Sequence, residues 1–476
     1  MQITTINFIS VRHLAHLFLF AFVVQLPLQH VLAAKLDINP SLITSENYSD
    51  NIFLAARGLE NSGFITQLNP GIKIEEHGRR LDLTMDYRMQ NLIYENENSN
   101  TTRHRLESGI KSSVIKNFLD IDAAASFKQQ AIDYSSTIDP NNLAPTNNLT
   151  DVVTYSISPS LTHNFGSSSK ASLRYVTGKV DYRDTAVSAT LYDASNKKIN
   201  AELTSGPRFN KMDWSLSYQN TASDNNNRTD STFERSQLQT KYSASRKTKL
   251  ILQGGQERNN FQTLNSNDLT KGTHWGIGLN WRPSTRTILN AIIGERYFGS
   301  TQSLSFDHKA KRLGMNIAYT EDFTTSALQL QDTKLTDTTG TPGTNPDINA
   351  NVYLSKKITT GFTATSAKTT LNVSLTSIDR DSQTTVSREK LYEGASTVTW
   401  RPGRRTLYQI TGFIQTRDFA GSPVKTELTQ AKISLIRTIN RDISATFEYS
   451  FLERSSNNLL NDYQRNMVTA SLTVNF

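Results

Sequence analysis

The sequence contains no cysteine, and after residue 34 it contains no long hydrophobic run. The absence of cysteine excludes disulfides, thiol nucleophiles and thiolate metal sites. A membrane-spanning helix needs about 20 consecutive apolar residues, so a helical membrane protein is excluded. Basic residues only slightly outnumber acidic ones, 51 against 43, and both kinds are scattered along the 476 positions. Because nucleic-acid binding requires clustered basic residues, we expect no nucleic-acid partner.

The N-terminus has the composition of a cleaved export signal. A basic residue, Arg12, precedes an apolar stretch over residues 14–28, and small residues allow cleavage after Ala33 or one position later. The alternative is an uncleaved anchor helix, but the run is shorter than a spanning helix requires. The sequence therefore predicts a signal peptide over residues 1–34 and a single exported domain over residues 35–476.

Apolar and polar residues alternate along almost the whole exported domain. Over residues 80–90, one set of alternate positions is apolar and the intervening set is polar or charged: Leu81, Leu83, Met85, Tyr87 and Met89 against Asp82, Thr84, Asp86, Arg88 and Gln90. An extended strand places these sets on opposite faces, whereas a helix mixes them. The same pattern occurs at 119–128 and 442–451. The predicted strands exceed the usual length of about 5–6 residues, which favours a membrane barrel over a soluble β-sandwich or solenoid.

Long and short connections alternate between the predicted strands. The long polar connections lie near 455–462, 417–425, 379–388, 322–348, 258–270, 220–230, 183–195, 134–150 and 95–102. The short ones lie near 439–441, 402–404, 358–361, 310–311, 283–285, 245–246, 207–210, 166–169, 116–117 and 77–79. One exception is the short connection near 298–300. Outer-membrane barrels combine short periplasmic turns with long extracellular loops.

We therefore predict a single antiparallel transmembrane β-barrel in the bacterial outer membrane, with about 22 strands and a range of 18–22. The weakest strand predictions are 301–309 and 349–357. Pro70 and Pro159 fall inside predicted strands and cannot donate a ladder hydrogen bond, so a bulge or a strand start is expected at each.

A local repeat marks two predicted periplasmic turns. Residues 279–287 and 398–406 both contain Trp-Arg-Pro followed by a basic segment. In each copy a strand is expected to end at the tryptophan and turn through the proline. Tryptophan suits the aromatic girdle of a barrel and arginine the neighbouring headgroup level, so a structural role is predicted.

The last residues form the most distinctive segment. One face carries Val468, Ala470, Leu472, Val474 and Phe476, while polar residues alternate with them. A terminal strand must pair with the first strand to remove two open edges that lipid cannot hydrate. This segment resembles the C-terminal assembly signal that the barrel-assembly machinery recognises, so that machinery is an expected partner.

The sequence offers no catalytic set. Only five histidines follow residue 34, none at zinc-ligand spacing, and no nucleophile elbow or phosphate loop is present. His104 and Ser108 share a strand face, as a rim-located lipid-modifying enzyme would require, but serine is abundant throughout the chain. We expect no enzymatic activity, no cofactor and no metal.

A barrel of 22 strands encloses a wide lumen, and barrels of that size are usually plugged. No plug domain precedes the first predicted strand at 37–47. The sequence leaves two alternatives: loops such as 134–150 and 322–348 fold inward, or the pore passes something large, for which an extended polysaccharide is a candidate.

Several segments resemble the outer-membrane β-barrel family associated with PEP-CTERM/exosortase systems. They are Glu46–Ile52, Leu68–Ile72, Leu83–Tyr87, Arg296–Gly299, Ser303–His308 and Arg312–Asn316. The resemblance implies an outer-membrane location and a link to exopolysaccharide production or export. It supplies no catalytic residues. The chain lacks the Pro-Glu-Pro motif of sorted substrates and so resembles a component of the system.

Three functions remain open after the sequence analysis. The first is an exopolysaccharide-associated channel or scaffold, the second a general diffusion porin for small solutes, and the third a lipid-modifying enzyme. Expected partners are outer-membrane lipids and lipopolysaccharide. Residues 1–34 contain one basic and no acidic residue, so the remainder carries 50 basic against 43 acidic residues. This mild excess keeps an anionic exopolysaccharide as a further candidate partner.

Overall fold

A computed structural model describes residues 36–95, 100–183, 193–226, 230–264, 270–332, 347–420 and 425–476. The predicted signal peptide lies outside these residues. The described residues form one antiparallel sheet of 22 strands. The strands are β1 Leu36–Ser49, β2 Gly63–His77, β3 Leu81–Tyr94, β4 Thr101–Ile115, β5 Leu119–Ala131, β6 Leu149–Phe165, β7 Ser169–Arg183, β8 Ala194–Ser205, β9 Met212–Asn225, β10 Ser231–Ser243, β11 Thr248–Asn260, β12 Lys271–Ser284, β13 Thr287–Arg296, β14 Gly299–Lys309, β15 Leu313–Thr325, β16 Val352–Thr365, β17 Thr369–Ser382, β18 Arg388–Gly403, β19 Thr406–Ala420, β20 Lys425–Thr438, β21 Ile443–Ser456 and β22 Tyr463–Asn475. A short helix, α1 Ser326–Asp332, and a 3₁₀ turn, Leu459–Asn461, lie between strands.

The sheet closes on itself. Each strand pairs with its neighbours in the chain, and β1 pairs with β22 from Ser41↔Asn475 to Ser49↔Met467. Beyond the last strand, the N–H of Phe476 donates to the carbonyl of Pro40 at 3.0 Å. Closure satisfies the backbone groups that an open edge would expose to lipid. The predicted fold class, an antiparallel barrel of about 22 strands, is confirmed.

Alternating residues point outward and inward as the sequence indicated. Outward positions carry exposed apolar side chains, such as Leu252 at 59% and Phe447 at 55%. Asp82 and Thr84, predicted to share the face opposite Leu81 and Leu83, line the interior cavity. One outward carboxylate, Glu46, accepts a hydrogen bond from Thr66 Oγ1 at 2.8 Å.

The predicted alternation of long and short connections is present, with one turn misplaced. The first and last described residues, Leu36 and Phe476, lie at the end with short turns, here called the periplasmic end; the opposite end is called extracellular. The predicted turn at 358–361 is wrong, because these residues lie inside β16 and the turn is at 366–368. Inside β16, Gly361 leaves room for a neighbour: a Cβ there would lie 2.3 Å from Asn316 Oδ1.

The two weakest predicted strands and the exceptional short connection are present in the structure. The doubtful strands at 301–309 and 349–357 are both present, as β14 and β16. The exceptional short connection is also present, because only Tyr297 and Phe298 separate β13 from β14. Gly299 follows with a φ of +120°, a conformation that favours glycine. An extracellular connection over residues 50–62 was not among the predicted loops.

The expectation of bulges or strand starts at the two prolines is wrong. Pro70 and Pro159 lie inside β2 and β6, and the pairing keeps its register on both sides of each. Only the ladder to one neighbour is interrupted: Pro70 remains opposite Leu42 of β1, and Pro159 remains opposite Ile121 of β5. In an antiparallel sheet a residue's N–H faces one neighbour only, so the missing donor opens a single ladder.

The Trp-Arg-Pro repeats do form bulges. The register shifts between Trp281 and Ser284 in β12, and between Trp400 and Gly403 in β18. Each strand therefore continues past its tryptophan, and the turns lie at 285–286 and 404–405, after the prolines. Both tryptophans are exposed, which fits the predicted place in an aromatic girdle.

Candidate functional site in the loop-filled lumen

The extracellular half of the lumen is partly filled by the connection 132–148 between β5 and β6. Tyr134 and Leu143 are buried at 2% and 3%. The loop turns inward to reach β19–β22, and the hydroxyl of Tyr463 in β22 donates to the carbonyl of Ile138. Arg454 in β21 donates to the carbonyls of Tyr134 and Ser135 at 3.0 and 2.8 Å. This segment is called the inner loop below.

A buried ion pair fixes the centre of the inner loop. Arg465 in β22 donates to both carboxylate oxygens of Asp139, at 2.7 and 2.9 Å. Burial alone would raise the pKa of Asp139, but Arg465 and the N–H groups of Ala144 and Asn141 outweigh it and hold this pKa below its usual range. Both partners are paired and hydrogen-bonded, which a buried charge pair needs to avoid a net cost.

A second inward segment consists of residues 326–332, which follow β15, and residues 347–351, which precede β16. Its helix α1 contacts β6, β7 and β8. The apolar side chains of Ala327 and Leu330 pack in a buried cluster with Val152, Val180, Ala194 and Ile348. Gln331 accepts a hydrogen bond from Asn196 at 2.7 Å. The helix is therefore held by a small apolar contact and few hydrogen bonds.

The two inward segments meet near the middle of the lumen. The N–H of Tyr134 donates to Asp347 Oδ1 at 2.8 Å, and the N–H of Ile348 donates to the carbonyl of Ile132 at 3.1 Å. Burial, together with the nearby Asp133 and Glu389, raises the pKa of Asp347 to about 7, although the N–H of Tyr134 and the guanidinium of Arg417 act in the opposite direction. The folded arrangement around Asp347 is therefore most stable when the carboxyl is protonated.

A cationic cluster supports this meeting point from the barrel. Glu389 in β18 accepts from Arg380 at 2.6 Å and from Arg417 at 2.7 Å, and all three side chains are buried. The guanidinium of Arg417 lies 3.7 Å from the ring centroid of Tyr134. Arg380 also donates to Gln329 of α1 at 3.2 Å. One cluster thus contacts both inward segments.

Of the two alternatives left by the sequence, inward folding is present in the described parts of loops 134–150 and 322–348. The filling is asymmetric. A cavity of about 1010 Å³ remains, lined by residues from β2–β11, β13 and β15 together with α1. It begins near His77 and Asp82 at the periplasmic end and reaches Leu328 and Gln331 of α1.

The cavity side of the barrel presents a set of amides on neighbouring strands, called the amide track below. Its members point inward from four neighbouring strands: Asn200 in β8, Gln219 in β9, Gln237 and Gln239 in β10, and Gln253 and Asn259 in β11. Gln239 Nε2 donates to Gln253 Oε1 at 3.0 Å. Three members line the cavity directly: Asn200, Gln219 and Asn259.

Charged and aromatic residues gather at the extracellular end of this track. Glu257 accepts from Arg235 at 2.8 Å and from Arg296 at 3.1 Å, and Arg235 also donates to Asp322 at 2.7 Å. Beside these ion pairs lie five aromatic side chains in contact: Phe233, Phe261, Tyr297, Phe298 and Phe323. The sequence analysis did not single out this group, because its members come from β10, β11, β13 and β15 and from two connections.

The residues singled out from the sequence lie elsewhere. Of the terminal signal residues, Val468, Leu472 and Phe476 are exposed at 38, 40 and 75%. Their assembly role stays a prediction. His104 and Ser108 share the outward face of β4: His104 contacts the Tyr87 hydroxyl at 2.8 Å, and Ser108 donates to the carbonyl of Ala125 at 3.3 Å.

Among the described residues, no group of three or more histidine, aspartate or glutamate side chains could hold a metal ion. In the part of the chain that the structure describes, no helix has the length and apolar character to cross a membrane. The absence of enzymatic activity remains an expectation.

Comparisons with known proteins add little to this description. No protein-family model matches the chain, and no curated protein does. Among solved structures, the siderophore receptor PirA from Acinetobacter baumannii is 8% identical, with a TM-score of 0.49 over 92% of this chain and 80% of that one. A ferric enterobactin receptor (PfeA) mutant from Pseudomonas aeruginosa is 10% identical, with a TM-score of 0.47 over the same shares. A loop-deletion mutant of OmpT, an outer membrane protein of Vibrio cholerae, is 10% identical, with a TM-score of 0.33 over 93% and 100%. Because these identities and TM-scores are low, the assignment of a barrel rests on the strand pairing of this chain itself.

Proposed function

We propose that this protein is an outer-membrane conduit for an extended polysaccharide and takes part in exopolysaccharide production or export. The observation that carries the proposal is the amide track along the open side of the lumen. An amide side chain offers two donors and one acceptor oxygen without a charge. A row of amides can therefore exchange hydrogen bonds with successive sugar hydroxyls while the chain moves past.

The inner loop and α1 make the proposed conduit a restricted one. Both segments are held by side-chain contacts, and the chain has no cysteine that could fix them covalently. The inner loop has buried ionic and hydrogen-bond anchors, whereas α1 is held by one small apolar cluster and by hydrogen bonds from Asn196 and Arg380 to its glutamines. We infer that the inner loop stays in place and that α1, which lines the cavity, moves when a polymer passes.

A general diffusion porin for small solutes is the second candidate. Porin constrictions oppose acidic and basic side chains, and the cavity contains such a pair: Arg174 donates to Asp122 at 3.1 Å. A porin would pass salts and small sugars without regard to the amides. A glycan conduit would depend on them.

Sugar uptake by vesicles that contain the barrel separates the two candidates. We expect a glucan oligosaccharide to enter the vesicles, and Gln219→Leu to slow its entry about two- to tenfold, the effect of one lost hydrogen bond. Asn220→Leu is the matched control, because Asn220 is the next residue on β9 and points outward. Small-ion conductance should be similar in both variants.

Two results would contradict the conduit. Equal oligosaccharide uptake in Gln219→Leu and the unaltered protein would favour the porin. No uptake of any sugar and no ion conductance would exclude both channels and leave a structural or enzymatic role.

A further inference from the structure

The charged side chains that line the cavity balance one another. Five inward-facing side chains are basic and five are acidic: Lys111, Arg174, Lys198, Arg235 and Arg296 against Asp82, Asp122, Glu257, Asp322 and Asp332. Several are already paired, including Arg174 with Asp122 and Arg235 with Asp322. A lining without net charge gives neither anions nor cations an electrostatic advantage. The contacts that remain for a ligand are amides, hydroxyls and aromatic faces.

Three aromatic rings at the extracellular end of the amide track are nearly parallel. The planes of Phe233 and Phe323 differ by 8°, with centroids 6.1 Å apart. Those of Tyr297 and Phe323 differ by 11°, with centroids 5.9 Å apart. The C–H face of a sugar ring is apolar and packs on aromatic side chains, so this stacked group, called the platform, offers a surface of suitable chemistry where Phe233 and Phe323 line the cavity.

A polar group with unused hydrogen-bonding capacity lies beside this platform. Asp322 is 63% exposed at its side chain, and Arg235 and Arg296 both contact its Oδ1 atom. No described residue bonds to Oδ2, which leaves this oxygen to accept from a sugar hydroxyl. Asn259 donates to the Tyr297 hydroxyl at 2.7 Å and holds that ring at the end of the track.

The shortest connection at the extracellular end lies at this place. Tyr297 and Phe298 form the whole connection between β13 and β14. The connection itself therefore adds only these two residues beside the platform.

We propose that Phe233, Tyr297 and Phe323, with Asp322, form a binding subsite for an uncharged, hydroxyl-rich glycan at the extracellular mouth of the conduit. The inference rests on the proposed function and adds two things to it, the neutral class of the polymer and the place where its leading sugars dock. The amide track continues from Asn259 toward the periplasmic end, so one chain could occupy both.

Binding and transport are measured separately on the full barrel. Calorimetry in detergent uses two probes of equal length, a neutral glucan heptasaccharide and a uronic-acid heptasaccharide. We expect the neutral probe to bind at least tenfold more tightly. Phe323→Ala should weaken its binding about tenfold, as expected when a stacked ring is lost, whereas Phe323→Trp should preserve it.

Phe447→Ala is the matched control, because Phe447 is an outward aromatic residue on β21. Asp322→Ala is a second test that leaves the rings in place, and it should weaken binding about two- to tenfold. The heat-modifiable gel mobility typical of folded barrels verifies that each variant is assembled. Vesicle uptake of the neutral probe measures the conduit independently.

The possible results have distinct consequences. Equal or tighter binding of the uronic-acid probe would overturn the neutral class. Unchanged binding in both Phe323→Ala and Asp322→Ala would overturn the subsite, and continued uptake by vesicles would show that the conduit still stands. Binding that depends on Phe323 without any uptake would support the subsite and overturn the conduit.

Discussion

Single charged side chains hold the inner loop in the lumen. Asp139 and Arg465 are at most 1% exposed, so neither charge can turn to water when its partner is lost. By contrast, Arg57 and Glu453 form an ion pair at the surface, with side chains 47% and 35% exposed. Buried and exposed pairs of the same chemistry should therefore respond differently to substitution.

Asp139→Asn should destabilise the inner loop by about 3–5 kcal/mol, because Arg465 stays buried without a compensating charge. We expect higher single-channel conductance and faster hydrogen exchange in residues 132–148. Glu453→Gln is the control and should change both by little. An inner loop as protected in Asp139→Asn as in the unaltered protein would show that the ion pair does not anchor it.

Asp347 should make the contact between the inward segments depend on pH. Its pKa is raised to about 7 in the folded protein from an ordinary value of 3.8. A raised pKa means that the folded state favours the protonated carboxyl, so the contact is fully stable below about 4 and weakens as pH rises through about 7. Conductance should increase over this interval, measured in planar bilayers.

Asp347→Asn should remove that increase, because the amide oxygen can still accept from the N–H of Tyr134 and cannot ionise. The pKa of Asp139 is lowered, so its pair with Arg465 should persist at neutral pH and be lost only well below pH 4. An unchanged pH profile in Asp347→Asn would assign the transition to another group.

At the level of elements, α1 is the segment whose movement would open the lumen. It is seven residues long, shorter than an isolated helix that is stable in water. Its position therefore depends on the apolar contact with β6–β8 and on the hydrogen bond between Gln331 and Asn196.

A cysteine pair can test whether this helix moves. Because the chain has no cysteine of its own, Gln331→Cys with Asn196→Cys places one thiol on each side of this contact, and a short cross-linker with a cleavable disulfide can join them. Cross-linking should lower oligosaccharide uptake and a reductant should restore it. Gln331→Cys alone is the control. Equal uptake by the cross-linked and reduced forms of the double variant would mean that α1 is not the moving segment.

At the scale of the whole molecule, closure depends on the terminal strand. β22 pairs with both β21 and β1, and its outward residues include the predicted assembly signal. Deletion of Phe476 should reduce the fraction of chains that assemble in cells, because the machinery would lose the terminal aromatic residue.

The measurement is the fraction of heat-modifiable, protease-resistant barrel in the membrane. Phe165→Ala is a suitable control, since Phe165 is exposed at the end of β6, beside a periplasmic turn. Equal assembly of the Phe476 deletion and the control would remove the signal role. The role of the barrel-assembly machinery and of lipopolysaccharide as partners stays a prediction.

Much of the barrel could be predicted from the sequence because strand alternation and turn composition depend on residues that are close together in the chain. Alternation in 80–90 assigned Asp82 and Thr84 to the lumen, and loop composition placed nearly all the turns. The errors arose where one residue type serves two purposes. Gly361 permits close approach to Asn316 inside a strand, and Pro70 needs no bulge because its missing donor faces one neighbour only.

The sequence by itself determined the strand period, the outward apolar face and the two loops long enough to turn inward. Only the tertiary structure decided which side chains meet in the lumen. Asp139 and Arg465 are 326 positions apart, and Phe233, Tyr297 and Phe323 come from separate parts of the barrel. Strand alternation fixes the face on which a side chain lies, whereas partners across the lumen are fixed by the closure and curvature of the whole sheet.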